Sequence, residues 1–286
     1  MIIPPNSDVV LVTDLSSSML DYCLNGQSGG CIAANPQRIQ FAKSLNKDFI
    51  DRVLSRSSNR IALTSFSTMT SGSTPYTVGF SANAAYLKSQ VDAYVADGPL
   101  GASTCVCAGI RRARKLLESA APAKNKFLVV LTDGVNNKQC EGSYPDLNTV
   151  DTYLSDFVCC TLATSCGKST GIGPSPPAGC HSGLYEVINY AQTGCNKCGD
   201  ITGGFYPACG DYVDYYGINQ AISDAQATNN AFTGGVKIYT IGMFDQSFGS
   251  GCTQATTSLT NIAAKGNGQF FKGTSKAELE AIYAKF

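Results

Sequence analysis

The chain has 286 residues, of which 43% are hydrophobic and 15% are charged, and its 21 basic residues balance its 21 acidic residues. This length suits one α/β core that carries a sizeable insertion. The balanced charge offers no basic field for nucleic acid or an anionic membrane, and no run approaches the ~20 apolar residues of a membrane span, so we expect neither partner.

The cysteine content indicates where the protein works. Thirteen cysteines in a chain of low charge are typical of an oxidising setting, outside the cell or on its surface. The first predicted strand begins near Asp8, which leaves no room for a signal peptide, so a secreted form would have lost a leader or anchor. Zinc binding is the alternative, because Cys195 and Cys198 have zinc-like spacing. They lack a second such pair, and the only histidine, His181, is typical of a loop.

Apolar runs along the chain predict six strands. In chain order they are 8–14 (DVVLVTD), 60–66 (RIALTSF), 75–80 (PYTVGF), 126–134 (KFLVVLTDG), 236–243 (VKIYTIGM) and 268–273 (GQFFKG). Continuous apolar runs without polar alternation are typical of strands that are buried on both faces of a parallel sheet. The run at 75–80 differs, because Pro75 cannot donate to a strand ladder, which predicts a short edge strand.

Helical periodicity falls between these runs. Apolar residues recur on one helical face over 38–54, just after Pro36, and again over 87–95, 110–117 and 279–286. The alternation of strands and helices predicts a Rossmann-like, doubly wound α/β fold. In this fold a mostly parallel central sheet has one short antiparallel edge strand and helices on both faces.

The region 139–215 breaks this alternation and is rich in proline and glycine. It contains eight cysteines, which are Cys140, Cys159, Cys160, Cys166, Cys180, Cys195, Cys198 and Cys209. This composition predicts a disulfide-stapled insertion in a single domain, 1–286, whose core comprises 1–138 and 216–286. The insertion follows the end of a predicted strand, at the sheet edge where ligands bind in open α/β folds.

Two predicted strands end in aspartate, Asp14 after VVLVT and Asp133 after LVVLT. A single aspartate at such a position is most often a turn former or a helix cap. Here serines follow Asp14, and the glycine-rich segment GPLGASTCVCAGI delivers further hydroxyls to a helix start. The three segments together predict a polar cluster at one edge of the sheet.

These segments resemble the metal-ion-dependent adhesion site of von Willebrand factor type A domains. D-L-S-S-S matches the D-x-S-x-S signature, the threonine before CVCAGI matches the second segment, and the aspartate of TDG matches the third. The matching residues are Asp14, Ser16, Ser18, Thr104 and Asp133. Ser17, where many members have glycine, is a departure at a position that binds no metal. The resemblance covers about 1–138 and 216–286.

The resemblance implies a divalent cation, Mg²⁺ first, with Mn²⁺ and Ca²⁺ as alternatives. In the family the hydroxyls of Ser16, Ser18 and Thr104 bind directly, whereas Asp14 and Asp133 bind mostly through water. Such oxygen donors suit Mg²⁺. The ion retains positive charge, so a Glu or Asp carboxylate of a protein ligand or surface receptor can complete its shell. The implied function is an extracellular adhesion module, similar to surface adhesins and pilus-associated proteins.

Two other functions compete with adhesion. The domain could be a structural subunit of a pilus or surface layer, in which the metal mainly stabilises the fold. It could also be a metal-dependent hydrolase, but no His, Lys or Arg is predicted in the three loops to serve as a base or to stabilise charge. The sequence also lacks a phosphate-binding loop and a nucleophile elbow. We therefore predict that the protein is not an enzyme.

Cysteines also flank the predicted metal segments. Cys23 and Cys31 follow the first segment, and Cys105 and Cys107 follow Thr104. We predict that some of these four cysteines, together with Cys140, form disulfides at the rim of the site, with the connectivity left open. The alternative is that Cys107, on a helix face, is a small buried hydrophobic residue.

Overall fold

The computed structural model describes residues 3–20, 37–134, 140, 215–244, 250–273 and 276–286. Six strands of these residues form one sheet: β1 (Ser7–Asp14), β2 (Arg60–Phe66), β3 (Thr77–Ser81), β4 (Asn125–Thr132), β5 (Lys237–Gly242) and β6 (Phe270–Lys272). Their order is β3-β2-β1-β4-β5-β6, and every pairing in this sheet is parallel except that of β2 with β3. The predicted fold class is confirmed, including the short antiparallel edge strand after Pro75.

The helices of the described residues are α1 (Arg38–Leu54), α2 (Ala84–Asp92), α3 (Val106–Leu117), α4 (Tyr215–Asn230), α5 (Ser250–Lys265) and α6 (Lys276–Tyr283). A short 3₁₀ helix covers Ser17–Leu20. The pattern at 87–95 extends past the end of α2, so Val95 lies beyond the helix and is exposed. Neither α4 nor α5 has a counterpart among the helical segments predicted above. The buried residues of α4 include Ile218, Ala221 and Ala225, and alanines make a weak apolar stripe.

Both faces of the sheet are covered by helices. In β1, Val9 and Leu11 belong to the core shared with α1, α2 and α6, whereas Val10 and Val12 belong to the core shared with α3, α4 and α5. All four side chains are fully buried. Double-sided burial explains why the strand reads as an uninterrupted apolar run, since neither face meets water.

The predicted insertion at 139–215 lies outside the described residues, apart from Cys140 and the first residue of α4. The division into core and insertion therefore stays a prediction. Among the described residues, no helix is both long and apolar enough to cross a membrane.

The order of the strands places the predicted site. β1 and β4 are parallel neighbours at the centre of the sheet, with Thr13 opposite Leu131. The next strand after β1, β2, lies on one side of this pair, and the next strand after β4, β5, lies on the other. The carboxyl ends of β1 and β4 thus flank the point where the strand order reverses, which is where open α/β sheets leave a crevice for ligands.

Candidate functional site

Asp14 ends β1 and is completely buried. Its Oδ1 accepts a hydrogen bond from the backbone N–H of Ser16 at 2.8 Å, which closes the turn after the strand. Its Oδ2 accepts a hydrogen bond from the Thr132 hydroxyl at the end of β4, at 2.5 Å. The carboxylate is therefore held by its own loop on one side and by the neighbouring strand on the other.

The two predicted serine ligands connect Asp14 to Asp133. The hydroxyl oxygens of Ser16 and Ser18 lie 3.1 Å apart. The Ser18 hydroxyl donates to Asp133 Oδ1 at 2.8 Å, although 115 residues separate the two in sequence. Four of the five predicted residues thus form one hydrogen-bonded group at the carboxyl edge of the sheet.

Thr104 is buried on the loop that precedes α3. This loop lies against the first segment, because the carbonyl of Ala102 accepts hydrogen bonds from the Ser17 N–H at 2.9 Å and the Ser17 hydroxyl at 3.1 Å. The N–H of Cys105 donates to the Ser67 carbonyl at 2.9 Å, at the end of β2. The structure therefore brings the loop of Thr104 next to the D-x-S-x-S loop, and Ser17 makes the contact.

Two glycines allow this loop to approach so closely. Gly101 has φ +88°, and a Cβ there would lie 2.4 Å from the Thr68 hydroxyl oxygen. In α3, a Cβ on Gly109 would lie 2.7 Å from Phe66 Cδ1 and 3.0 Å from Val12 Cγ1. Real Cβ atoms essentially never approach so closely, so glycine at 109 lets α3 settle onto the sheet and positions the preceding loop.

Burial makes the charged forms of the Asp14 and Asp133 carboxylates unfavourable. Burial, together with the neighbouring charge of Asp133, raises the pKa of Asp14 to about 7. Burial also raises the pKa of Asp133, although a nearby arginine opposes this shift. Among the described residues, Asp14 has no ion-pair partner. A buried carboxylate without a cation is unfavourable, so the group would gain from additional positive charge.

The arginine is Arg38, the first residue of α1, and its side chain is only 2% exposed. Its Nη1 donates to Asp133 Oδ2 at 2.9 Å and to the Ser18 carbonyl at 3.0 Å. We expected no cationic side chain in the three loops, and the structure shows that a cation reaches the site from a helix instead. Its place in the sequence is a usable signal, because a cation in the first turn of a helix opposes the helix dipole and needs a compensating anion.

The residues present fit the predicted metal. All of the donor atoms are oxygens, from two carboxylates and three hydroxyls, and this hard donor set favours Mg²⁺, Mn²⁺ or Ca²⁺ over metals that prefer sulfur. The raised pKa values of both carboxyls also fit, because a divalent cation would stabilise their charged forms.

A disulfide lies beside the site. Cys107 in α3 is bonded to Cys140, which follows Asp133 by seven residues, so α3 and the third metal segment are linked covalently. The Sγ of Cys105 lies 3.4 Å from that of Cys107 and 3.6 Å from that of Cys140. The Cys140 N–H also donates to Gln220 Oε1 in α4 at 2.6 Å. The predicted pairing of rim cysteines is confirmed for this bond, whereas Cys23 and Cys31 lie outside the described residues.

Comparison with known proteins gives one family match. Residues 9–136 match the family profile of the von Willebrand factor type A domain. The matched segment contains all five predicted metal residues. A search of curated protein sequences found no match.

Several solved structures share this α/β fold at low sequence identity. The PilB minor pilin from Streptococcus sanguinis is 20% identical, with a TM-score of 0.60, over 99% of this chain and 60% of that one. The von Willebrand factor domain of the type V pili tip protein Mfa5 from Porphyromonas gingivalis is 21% identical, with a TM-score of 0.55, over 100% and 95% of the two chains. The pilus adhesin SpaC from Lactobacillus rhamnosus GG is 15% identical, with a TM-score of 0.56, over 100% and 30%.

Proposed function

We propose that this domain is an extracellular or cell-surface adhesion module that binds an acidic group of a partner protein through a divalent cation. The cation is Mg²⁺, with Mn²⁺ and Ca²⁺ as alternatives, and its proposed ligands are Asp14, Ser16, Ser18, Thr104 and Asp133. The observation that carries the proposal is the hydrogen-bonded group that joins Asp14, both serines and Asp133 at the reversal point of the sheet. When bound, the cation supplies a positive charge that a carboxylate of the partner can neutralise.

The proposed ligands have two different roles at the site. Hydroxyls donate oxygen without neutralising the ion, so Ser16, Ser18 and Thr104 leave its charge available to a partner. The carboxylates of Asp14 and Asp133 provide the attraction for the cation, and both are oriented in advance by hydrogen bonds from Thr132 and Ser18. A site whose ligands are already in place loses less conformational entropy when it binds.

The structural comparisons support the surface setting within this proposal. Their names describe a minor pilin, a pilus tip protein and a pilus adhesin, and all three share this fold. We extend to this chain the general role of contact between surface proteins, without enzymatic activity. The chain spans only 60% of the length of PilB. Any activity that depends on the rest of a protein of that length is therefore proposed for this chain and not shown by the comparison.

A structural role in a pilus or surface layer is the second candidate. It is favoured by the pairing of Asp133 with Arg38, because a site that holds its own cation depends less on a metal and a partner. In this case a divalent cation would raise the melting temperature of the domain, but acidic ligands would bind equally well with and without it.

A Mn²⁺ titration followed by electron paramagnetic resonance tests the proposed ligands. Thr104→Val replaces the hydroxyl with a methyl group of similar shape, and we expect it to weaken Mn²⁺ binding by about tenfold or more. Thr104→Ser keeps the hydroxyl and is the matched control. Asp14→Asn is expected to weaken binding in the same way. Ser17→Ala removes a hydroxyl that is not a proposed ligand and keeps the backbone N–H bond to the Ala102 carbonyl that holds the two loops together. Wild-type Mn²⁺ affinity in both Thr104→Val and Asp14→Asn would contradict the proposed site.

A peptide array tests the proposed partner chemistry. Each peptide carries one Glu or Asp, and its matched partner carries Gln or Asn at the same position. We expect selective binding of the acidic peptides in Mg²⁺ and its loss in a chelator. Equal binding of acidic peptides in Mg²⁺ and in a chelator would favour the structural role.

A further inference from the structure

Arg38 is buried at the position where α1 meets the candidate metal site. The guanidinium is 2% exposed, and Asp133, its partner, is fully buried. A buried ion pair of this kind contributes little net stability, because desolvation of both charges offsets their attraction. The position of Arg38 at the start of a helix adds an unfavourable interaction with the helix dipole. A contribution to the stability of the fold therefore does little to explain why an arginine occupies position 38.

Among the described residues, the pairing with Arg38 occupies Asp133 and leaves Asp14 without a cationic partner. Asp133 uses Oδ2 for Arg38 and Oδ1 for the Ser18 hydroxyl. Arg38 also holds the Ser18 carbonyl, so the three residues form a closed ring. Asp14 accepts hydrogen bonds only from neutral groups among its described partners, namely the N–H and the hydroxyl of Ser16 and the hydroxyl of Thr132. Within the described part of the chain, the positive charge at the site thus lies on the side of Asp133.

We propose that Arg38 is a built-in counterion of Asp133. Its positive charge stabilises the cation-free site and weakens the binding of the divalent cation. This inference rests on the proposed function. With both carboxylates ionised, as in a site that holds a cation, the two aspartates and the guanidinium of the described residues sum to one negative charge, whereas the same groups without Arg38 would have two. Because the Arg38 guanidinium is held in place by its bonds to Asp133 and to the Ser18 carbonyl, this reduction in attraction is built into the folded chain.

Two consequences follow for the loaded site. A divalent cation brings the site to one positive charge instead of neutrality, which favours an anionic group of a partner. The cation-free protein also remains folded, because Asp133 is already paired. Cation binding then becomes a reversible event that depends on the ion's concentration, and the fold does not require it.

The test compares Arg38→Gln with two matched variants by Mn²⁺ titration. Glutamine at this position would remove the charge while keeping a hydrogen-bond donor, so we expect about tenfold tighter Mn²⁺ binding. Arg38→Lys retains the charge and should bind Mn²⁺ with wild-type affinity. Lys47→Gln removes one positive charge from the same helix at a partly exposed site paired with Asp92, and it should leave the affinity unchanged.

Thermal unfolding with and without Mg²⁺ gives a second readout. We expect Arg38→Gln to melt at a lower temperature than the wild type without the cation, and to gain more from Mg²⁺. Unchanged or weaker Mn²⁺ binding by Arg38→Gln, with wild-type protein that does bind, would overturn this inference and leave the proposed function standing. A variant that stays unfolded even in saturating Mg²⁺ would also overturn it, because the ion would have failed to replace the guanidinium. Wild-type protein that binds no Mn²⁺ would overturn the proposed function itself.

Discussion

The hydroxyl of Thr132 donates a 2.5 Å hydrogen bond to the carboxylate of Asp14, and both residues are completely buried. This bond joins the carboxyl ends of β1 and β4 through side chains. The same hydroxyl oxygen accepts a hydrogen bond from the N–H of Gly134 at 3.2 Å. Thr132 thus orients the carboxylate of the first predicted metal segment and the backbone of the third one.

Thr132→Val should destabilise the domain by about 2–3 kcal/mol, because a buried carboxylate and a buried N–H both lose a partner. Thr64→Val is the matched control. Thr64 is equally buried in β2, but its hydroxyl lies 3.2 Å from the neutral hydroxyl of Thr77, so we expect a cost of about 0.5–1.5 kcal/mol. Urea unfolding measures both. Equal costs would show that the charge of Asp14 adds nothing to this bond.

Gly109→Ala should destabilise the domain by about 1–3 kcal/mol, even though alanine is the better helix former. The new Cβ would collide with Phe66 and Val12 and would force α3 away from the sheet. Because Thr104 closely precedes this helix, Mn²⁺ binding should weaken as well. Gly79→Ala is the control, since a Cβ there meets nothing within 4 Å. A Gly109→Ala variant with wild-type stability and Mn²⁺ affinity would contradict the proposed role of this close contact.

Removal of the Cys107–Cys140 disulfide should lower the free energy of unfolding by about 2–4 kcal/mol, because a loop closed across 33 residues gains entropy in the unfolded chain. The measurement compares the double variant Cys107→Ser, Cys140→Ser with the wild type under non-reducing conditions, so that the other cysteines stay in their native state. Peptide mapping of the non-reduced wild-type protein should recover the linked pair. A map that links Cys107 to a different cysteine would contradict the prediction.

The acid sensitivity of the fold should depend on Asp8, at the opposite edge of the sheet. Burial alone would raise its pKa, but Arg60 donates to both carboxylate oxygens, at 2.9 and 2.6 Å, and the N–H of Ala121 donates at 3.1 Å. Together with the charge of Lys124, these contacts hold the pKa of Asp8 below its usual value. The folded pKa lies below the unfolded one, so the ionised carboxylate stabilises the fold at neutral pH, and this stabilisation is lost as the pH falls through the folded value.

We therefore expect Asp8→Asn to be less stable than the wild type at neutral pH, with the difference shrinking on acidification below about pH 4. The raised pKa values of Asp14 and Asp133 act in the opposite direction, but they are common to both proteins and cancel in the difference. Asp51→Asn serves as the control, because Asp51 pairs with Lys88 at the surface. A stability difference that does not change with pH would contradict this account.

Several elements of the fold could be read directly from the sequence. The run RIALTSF coincides with β2, and the predicted first strand differs from β1 by one residue. A strand that is buried on both faces has apolar residues at consecutive positions, so it can be recognised from a short stretch of sequence. The aspartates at the ends of two of these strands could be recognised as well. Since the carboxyl ends of neighbouring parallel strands meet at one edge of the sheet, the two aspartates were expected to lie close together.

Other features could not be read in this way. α4 buries alanines, whose small side chains contribute little to an apolar pattern. The pairing of Arg38 with Asp133 joins residues 95 positions apart, and that of Thr132 with Asp14 joins residues 118 apart. The bond between Cys107 and Cys140 was one of many pairings that the cysteine count allows.

The sequence by itself determined which residues are apolar in succession and which carboxylates and hydroxyls follow them. From these the strands and a polar cluster at the sheet edge could be inferred, whereas the metal residues were predicted from the resemblance to von Willebrand factor type A domains. The tertiary structure alone decided that a helix delivers Arg38 to that edge and that Thr132 and Cys140 secure the two sides of the site. The physical reason is that strand and helix patterns depend on neighbouring residues, whereas the charge balance of a buried site depends on which distant elements pack against it.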